Sequence, residues 1–380
     1  MSSEQSDQPS VSRGREIAPG LFHVAGIRLE KIGSDSLVAI LLARDEAWRL
    51  PFWLAYHRWL GVDHFIIIDN RSKDDTQSLL REQKDVTLID APGAFYAGHR
   101  AWTKAIIEMG PADRWHLILD ADELFVAAPW RQGGLRQSVI ALEAEGADFA
   151  FALMVDCYPD FLPQEAKVVS AIPWVRAPWF DPGPYGRWRQ RKRKIRLHYG
   201  GVRERVCWPR WKYQKHLPRQ MQKWLSISHP PFIVKVPLVR GAAGAGGSIH
   251  RTSSRRRPTS YFNLLHYKFD IDLAPKVQTA VAEGQYYNQS IEYKGYAAAL
   301  AGGRLHLKTA ISRRFTSLTS LRDASLCRYD RSFLDSVGAS GPIDTDPDQA
   351  IAEIFQHGDR RLVETISVSE VTGPADCSCP

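Results

Sequence analysis

Three carboxylates follow an apolar run near the middle of the chain. The segment WHLILDADELF, residues 115–125, has Asp120, Asp122 and Glu123 at the end of an apolar run that predicts a buried strand. Like charges this close repel one another, and each carboxylate costs free energy to desolvate. The pattern therefore predicts either a bound cation or a strand that ends at the protein surface.

Two carboxylates separated by one residue suit a divalent cation that also binds a diphosphate. Such a cation takes hard oxygen ligands from the protein and leaves positions for phosphate oxygens and water. A DxD triplet also occurs by chance, so the element that carries it decides how much weight it has. We predict that Asp120 and Asp122 hold the cation.

Apolar runs alternate with helical patterns before and within this region. The runs LVAILLA, HFIIID, VTLID and WHLILD predict four buried strands, with apolar residues at helical spacing between them. This alternation predicts an α/β fold with a mostly parallel central sheet and helices on both faces. In such a sheet ligands bind beyond the carboxyl ends of the strands.

Polar residues follow the first two of these strands. Arg44, Asp45 and Glu46 come after the first strand, and Asp69 and Asn70 come after the second. We expect them to share one rim with the acidic cluster. A turn or helix-cap role for Asp69, and a helix-start role for Asp45 and Glu46, are the structural alternatives. The chain has neither a dinucleotide-binding glycine fingerprint nor a P-loop motif.

Length and composition indicate an ordinary globular protein, with 380 residues of which 44% are hydrophobic and 24% charged. We divide it into an N-terminal tail with a leader strand (1–36), a central α/β domain (37–270), a helical extension (271–335) and a linker-like peripheral tail (336–380). No run reaches the roughly 18 apolar residues of a membrane span, and no secretory signal is visible. The five scattered cysteines indicate free thiols, so we expect a cytoplasmic protein.

A basic run, RWRQRKRKIR, covers residues 187–196 and contains seven Arg and Lys residues. Such a run can bind phosphates, anionic lipid headgroups or nucleic acid. A solvated strand edge or loop is the structural alternative. Peripheral contact with the inner face of an anionic membrane is therefore an open possibility for this segment.

Residues 43–80, ARDEAW through SLL, followed by the DADELF motif, resemble glycosyltransferase family 2-like and family 92-like proteins. The resemblance is close over residues 37–126 and continues more thinly to residue 295. Two positions depart from the family pattern. Asp45 stands where Asn is usual, and Leu124 precedes Phe125 where the family often has Phe directly. These departures blur the subfamily and hence the identity of the sugar.

The resemblance implies a GT-A fold and a metal-dependent, inverting transfer of a sugar from a nucleotide-sugar donor, expected to be UDP-linked. The acceptor would be the hydroxyl of a glycan or lipid-linked molecule, and the cofactor Mn²⁺ or Mg²⁺. His266 would complete the metal site, Lys268 would reach a phosphate, and Glu123 would orient a ligand or support its neighbours. A core position for His266 and a surface position for Lys268 are the alternatives. The residues implied at the donor site are Arg44, Asp45, Glu46, Asp69, Asn70 and Asp120.

An inverting transfer needs a carboxylate that deprotonates the acceptor hydroxyl. Asp156, at the end of FALMVD, is the preferred candidate, and Glu204 in GGVRERV is the second. Trp188, Trp208 and Trp211 lie in a region predicted as loops, where their rings could stack on sugars.

Two other classes of function stay open from the sequence. A nucleotidyltransferase also holds metal with carboxylates on an α/β sheet, but it usually has a glycine-rich first loop, which LLARDEAW lacks. A catalytically degenerate module could bind membrane or nucleic acid through the basic run. We expect no nucleic acid, since three carboxylates on the rim would repel it.

Overall fold

The computed structural model describes most of the chain from residue 14 onwards. Its described ranges are 14–162, 170–183, 185–189, 196–225, 232–241, 258–284, 287–301, 305–329, 331–338 and 344–358.

Fourteen strands lie within these ranges. They are β1 (Arg15–Ala18), β2 (Leu21–Ala25), β3 (Val38–Ala43), β4 (His64–Asp69), β5 (Val86–Asp90), β6 (Trp115–Leu119), β7 (Glu123–Val126), β8 (Phe149–Tyr158), β9 (Trp179–Phe180), β10 (Gly186–Arg189), β11 (Arg196–Tyr199), β12 (Val234–Arg240), β13 (Tyr261–His266) and β14 (Arg313–Arg314).

The described helices connect and flank these strands. A short 3-10 helix covers Leu29–Lys31, and the α-helices are α1 (Leu50–Leu60), α2 (Thr76–Arg81), α3 (Phe95–Glu108), α4 (Gly134–Ala144), α5 (Pro173–Arg176), α6 (Gly201–Cys207), α7 (Trp211–Gln214), α8 (Arg219–Trp224), α9 (Leu273–Glu283), α10 (Tyr287–Leu300), α11 (Leu318–Asp323), α12 (Arg331–Gly338) and α13 (Pro347–Gln356).

The fold is α/β and is built on one large mixed sheet of 12 strands. Its main path runs β1-β2-β5-β4-β3-β6-β12-β8-β13-β7, and β9 joins at β8 with β14 beyond it. The sequence predicts a mostly parallel sheet, and the structure differs. Parallel pairing links β3 to β4 and β6, β4 to β5, and β8 to β13, whereas every other described pair in this sheet is antiparallel. The difference arises because β12 runs between β6 and β8 in the opposite direction to both, and because β2, β7 and β9 pair antiparallel with β5, β13 and β8.

The four strands predicted from the first apolar runs form as a parallel block, β5-β4-β3-β6. Their side chains are almost all buried, as expected for strands covered on both faces. After β6 the chain makes a tight turn and resumes at Glu123 as β7, at the far end of the sheet path. The carboxylates of Asp120 and Asp122 therefore lie in a turn between two strands, and Glu123 begins the second of them.

Helix α1 forms where the sequence contains matching start and stop signals. Pro51 occupies the first turn, where its missing N–H is not needed, and Gly61 ends the helix with a φ of 108°. This left-handed conformation favours glycine. The helix packs against β7 on one side and against α13 on the other.

Side chains of α1 also hold the backbone of β7. Trp53 Nε1 donates to the carbonyl of Glu123 at 3.0 Å, and the Tyr56 hydroxyl donates to the carbonyl of Phe125 at 2.8 Å. The same Tyr56 oxygen accepts a hydrogen bond from Trp130 Nε1 at 3.0 Å. Because all these groups are buried, their geometry fixes where the strand after the acidic turn can lie.

The region predicted as a linker-like tail contains a packed helix. Ala350 and Ile354 of α13 are buried in the main core, and Glu353 accepts a hydrogen bond from Trp59 Nε1 at 2.8 Å. Residues 344–358 thus contribute to the same core as α1. A second, smaller core joins Tyr158 and Phe269 to α6, α7, α9 and α10.

One sequence-based expectation falls mainly outside the described residues. The centre of the basic run, Arg191 to Lys194, belongs to an undescribed range, and its flanks form the β10–β11 hairpin. In the part of the chain that is described, no helix is both long and apolar enough to cross a membrane.

Replacing Tyr56 with Phe tests the attachment of β7 to α1. The change leaves Trp130 Nε1 and the Phe125 carbonyl buried without this partner, at a cost of about 1–3 kcal/mol for each group. We expect urea denaturation to report a loss of roughly 2–4 kcal/mol in unfolding free energy. The matched Tyr213→Phe change, at an exposed tyrosine, should alter it by less than about 0.5 kcal/mol. Equal effects of the two changes would contradict this account.

Candidate functional site

The loops after β3, β4 and β6 meet at one edge of the sheet. Parallel register pairs Ala43 with Asp69 and Leu41 with Leu119, so these three strands end side by side. The predicted common rim for the polar residues after the strands is therefore present. Two hydrogen bonds connect the loops after β3 and β4. Asp45 N donates to Ser72 Oγ at 2.9 Å, and Asp45 Oδ1 accepts from Lys73 N at 2.6 Å.

A protein cation lies against the acidic cluster. Lys235 of β12 places its Nζ 2.5 Å from Asp120 Oδ2 and 2.5 Å from Glu123 Oε1. The antiparallel register that pairs Leu238 with Leu117 carries Lys235 to the end of β6. The sequence reading missed this residue, although a lone lysine within an apolar strand is a usable signal for a buried ion pair.

Lys235 and burial have opposite effects on the pKa values of the two carboxylates beside it. Burial by itself would lower the pKa of Lys235, but Asp120 and Glu123 raise it above its ordinary value. Burial raises the pKa of Glu123 despite Lys235, because Glu123 is fully enclosed. Burial would likewise raise the pKa of Asp120, whose side chain is half exposed, yet Lys235 brings it below its usual range.

Asp122 faces a different group of cations. Its Oδ2 lies 3.6 Å from His266 Nε2 and 3.8 Å from Lys268 Nζ. Burial would raise the pKa of Asp122, but His266, Lys268 and Arg49 together hold it well below its usual range. Lys268 also donates to the Tyr293 hydroxyl at 3.0 Å. Asp122, His266 and Lys268, predicted as one cluster, thus come together.

Asp156 lies behind His266 and holds its ring. Strands β8 and β13 are parallel, with His266 directly beside Asp156 in the register, and His266 Nδ1 is 2.5 Å from Asp156 Oδ1. A distance this short requires a proton between the two atoms. Burial would raise the pKa of Asp156, but Arg203 and His266 lower it, so the proton belongs on Nδ1. His266 Nε2, on the other side of the ring, faces Asp122.

Arg203, which the sequence analysis did not single out, completes this arrangement. Its Nε lies 3.1 Å from Asp156 Oδ2 and its Nη2 2.5 Å from Asp156 Oδ1. The Nη2 atom is also 2.8 Å from His266 Nδ1, because both donors converge on the same oxygen. Asp156 is buried and both its oxygens are occupied, which argues against the predicted role of general base.

Glu204 follows Arg203 on α6 and has a more suitable state for a base. Its side chain is partly exposed, and burial raises its pKa above the ordinary value while Lys215 opposes the rise. Its described electrostatic neighbours are Tyr199 and Lys215, so it stands apart from the Asp122–His266 pair.

The two predicted residues at the end of β4 have different surroundings. Asp69 is fully buried, and its Oδ2 accepts hydrogen bonds from Ser72 N at 3.2 Å and Gln77 Nε2 at 2.8 Å. Its Oδ1 is buried and has no hydrogen-bond partner among the described residues. Asn70 instead uses its amide nitrogen on the backbone carbonyls of Ala91 and Gly93, at 2.6 and 2.9 Å, and holds the loop after β5.

The first loop has an unusual backbone. Asp45 and Arg71, one in each of the loops after β3 and β4, have φ values of 57° and 64°. Residues other than glycine rarely adopt this left-handed conformation, and strain of this kind clusters at functional sites. Arg44 stays partly exposed and its Nε lies 3.9 Å from Asp45 Oδ2.

Glu46, predicted at the donor site, belongs to a buried ion-pair network. Its Oε2 accepts from Arg49 Nη1 at 2.9 Å, and its Oε1 accepts from Lys276 Nζ at 2.6 Å. Arg49 also donates to both oxygens of Asp272, the residue before α9. This network ties the first loop to the late helix α9 and engages both carboxylate oxygens of Glu46.

A small pocket opens beside Asp122. Trp48 forms part of its wall, and the Cζ atoms of Arg49 and Arg176 lie 4.2 and 5.0 Å from the centroid of the Trp48 ring. Arg176 is paired with Asp270 at 2.7 Å. The wall therefore combines an aromatic face with guanidinium groups whose charge is already balanced.

The tryptophans predicted to stack on sugars have other positions. Trp208 and Trp211 are buried in the second core, which corrects that expectation. The side chain of Trp188 is outside the described residues. Among the aromatic side chains that line the pocket, Trp48 belongs to the first loop, where the sequence analysis considered only residues 44–46.

The donor set suits a metal ion that is shared with a substrate. Within the described ranges no three His, Cys, Asp or Glu side chains converge to hold an ion without other ligands. Mg²⁺ and similar ions often take only one or two carboxylates and complete their shell with substrate phosphates and water. Asp122 Oδ2 and His266 Nε2, 3.6 Å apart, fit that kind of partial site.

Comparisons with known proteins do not identify the chain. No family model and no curated protein matches it. One matching solved structure is the crystal structure of 4-diphosphocytidyl-2C-methyl-D-erythritol synthase, 13% identical, with a TM-score of 0.22. The match covers 34% of this chain and 62% of that chain, less than two thirds of its length. A likeness at this level carries no functional argument.

Replacing Asp272 with Asn tests the Arg49 network through its pH dependence. Burial would raise the pKa of Asp272, but Arg49 and Lys276 lower it to about 2, from 3.8 in the unfolded chain. A lowered folded-state pKa contributes stability above the unfolded pKa, and this contribution is lost as the pH falls from about 4 to about 2. We expect Asp272→Asn to lose at least about 2 kcal/mol of unfolding free energy at pH 7.

The difference in unfolding free energy between the native protein and Asp272→Asn, measured by urea titration, should be roughly half as large at pH 3 as at pH 7. Asp323→Asn, at an exposed position, is the control and should show no comparable gap. A gap of the same size at both pH values would refute the ion-pair account.

Proposed function

We propose that the chain is a metal-dependent glycosyltransferase of the GT-A type, which transfers a sugar from a nucleotide-sugar donor to a glycan or lipid-linked acceptor. The observation that carries the proposal is the Asp122–His266 pair at the carboxyl edge of the parallel strands. His266 is oriented from behind by Asp156, and Asp122 is kept ionised by the cations around it. A carboxylate and an imidazole held in this way are suited to a divalent cation.

In this proposal Asp122 and His266 hold Mn²⁺ or Mg²⁺, which would offset the charge of the departing diphosphate. Asp120 contributes less directly, because its Oδ2 is engaged by Lys235. Lys268, 3.8 Å from Asp122, is close enough to the same position to donate to a phosphate oxygen. The chain thus supplies cationic donors of its own next to the metal ligands.

Asp69 supports a nucleoside at the neighbouring strand end. An oxygen that is buried without a hydrogen-bond partner costs free energy, and a donor group of a ligand would remove that cost. An imide N–H or a ribose hydroxyl of a uridine nucleotide provides such a donor. The strained backbone at Asp45 and Arg71 lies in the same two loops.

In this proposal the transferred sugar lies next to the pocket beside Asp122. Trp48 lines this pocket with Arg49 and Arg176 stacked near its ring, and the buried Nε of Arg49 has no hydrogen-bond partner among the described residues. The charges of the two arginines are balanced by Asp272 and Asp270, so a neutral sugar is a better match than an anion. For the base we favour Glu204 over Asp156, because its pKa is raised and its side chain is accessible.

Asp122→Asn tests the metal assignment by binding as well as by activity. A neutral amide is a weaker ligand for a hard cation, so binding of Mn²⁺ in the presence of UDP should weaken by at least about tenfold. Electron paramagnetic resonance of free Mn²⁺ measures this, and UDP-sugar hydrolysis measures the activity, which should fall in parallel. Asp63→Asn, at an exposed carboxylate near α1, should bind Mn²⁺ like the native protein. Unchanged Mn²⁺ binding in Asp122→Asn would refute the site.

Asp156→Asn separates a positioning role from a catalytic-base role. If Asp156 orients His266, the affinity for Mn²⁺ should fall by about 10- to 100-fold, and added Mn²⁺ should restore much of the turnover. If Asp156 is the base, the affinity for Mn²⁺ should stay unchanged while kcat falls and does not recover. The unfolding transition is followed in parallel, because the change also leaves Arg203 without its buried carboxylate partner.

A further inference from the structure

We infer that the segment of residues 209–225, which contains α7 and α8, docks onto an anionic lipid bilayer. This α7–α8 segment has an unusual distribution of polar and apolar side chains. Met221, Trp224 and Leu225 are 44%, 82% and 47% exposed, and Tyr213 on α7 is 70% exposed. Large apolar side chains grouped at the surface mark a contact with a partner or a membrane.

The apolar side chains of α8 face solvent, and a polar side chain of the helix contacts the rest of the protein. Trp224 and Leu225 follow Met221 by three and four residues, so the three side chains share one side of the helix. The helical hydrogen bonding continues to Leu225, whose N–H donates to the Met221 carbonyl at 2.9 Å. Gln222 points elsewhere and donates to the Leu217 carbonyl at 2.8 Å and the Gln214 carbonyl at 3.3 Å. This is the reverse of the usual arrangement of a surface helix.

The segment is fastened to the protein at its other end. Trp208 and Trp211 are buried in the second core, where they hold the chain before and within α7. The buried tryptophans therefore hold the start of the segment in place, while the apolar side of α8 stays exposed. Trp and Tyr next to aliphatic residues are typical of side chains that enter the interface of a bilayer.

Charge selects an anionic bilayer as the partner. Residues 201–225, which span α6 to α8, contain seven Arg and Lys residues and a single acidic residue, Glu204, and five of the seven lie in the α7–α8 segment. The rest of the chain contains 43 basic and 41 acidic residues, so its charge is nearly balanced. An anionic surface would therefore attract this part of the chain in particular.

Other occupants fit less well. A second copy of the chain would bring one basic segment against another in a symmetric contact. A nucleic acid would use the charge and could stack on Trp224, but Met221 and Leu225 offer it nothing. Helix α6, in the same basic segment, carries Arg203 and hence lies next to the Asp156–His266 pair. Docking through α7 and α8 would therefore bring a neighbouring part of the candidate site towards the bilayer.

The test is sedimentation of the full chain with phosphatidylcholine vesicles that contain or lack phosphatidylglycerol. The native protein should bind only the anionic vesicles, and binding should weaken as salt rises. Changing Met221, Trp224 and Leu225 together to Ser should weaken binding by at least about tenfold. The matched control changes three exposed isoleucines elsewhere, Ile27, Ile140 and Ile311, to Ser and should bind like the native protein.

Two results would overturn the inference. One is a triple variant at Met221, Trp224 and Leu225 that binds anionic vesicles as tightly as the native protein. The other is a native protein that does not bind vesicles but retards a single-stranded RNA or DNA oligomer in a gel, with the retardation lost when Trp224 is replaced. That result would identify nucleic acid as the partner. Vesicle binding is measured without donor or metal, so its outcome is independent of the proposed activity.

Discussion

The ammonium group of Lys235 between Asp120 and Glu123 is the contact that allows the acidic turn to fold. Three carboxylates within four residues, one of them fully buried, would otherwise repel one another in a poorly hydrated place. Lys235 reaches them because β12 runs antiparallel to β6 and brings its early residues to the end of that strand. The antiparallel strand in an otherwise parallel region is thus linked to the charge balance of the turn.

With Lys235 engaged, the acidic cluster divides into two parts. Glu123 and one oxygen of Asp120 are neutralised within the protein, whereas Asp122 faces His266 and Lys268 across distances of 3.6 and 3.8 Å. The Asp122–His266 distance is longer than a direct hydrogen bond, so one small divalent ion could be bound by both atoms. Asp120 and Glu123 are thus in direct ion pairs and have a structural role, whereas Asp122 has no direct ion pair of this kind with the described residues and is available to a ligand.

Local patterns in the sequence were sufficient for the strands of the first half and for their common rim. The apolar runs predict β3, β4, β5 and β6, and parallel neighbours must end at the same edge. The same patterns could not reveal strand direction in the second half, nor the partners of Asp156. Asp156 lies inside buried β8, two residues before its end at Tyr158, and its neighbour is set by the register with β13, more than 100 residues later. No local spacing encodes that register, so the sequence predicts a base where the structure has a buried, paired carboxylate.

Three contacts between charged groups at the site share one further property, which is that each joins the first half of the chain to the second. Asp120 meets Lys235, Asp122 meets His266, and Arg49 meets Asp272, across 115, 144 and 223 residues of sequence. The early parallel strands form a rim of carboxylates, and the late strands and α9 supply the cations that balance it. Because the two sets are complementary in charge, neither half has a stable site without the other. The candidate site therefore depends on completion of the whole sheet rather than on the DxD motif alone, and long-range ion pairs of this kind are late to form when the chain folds.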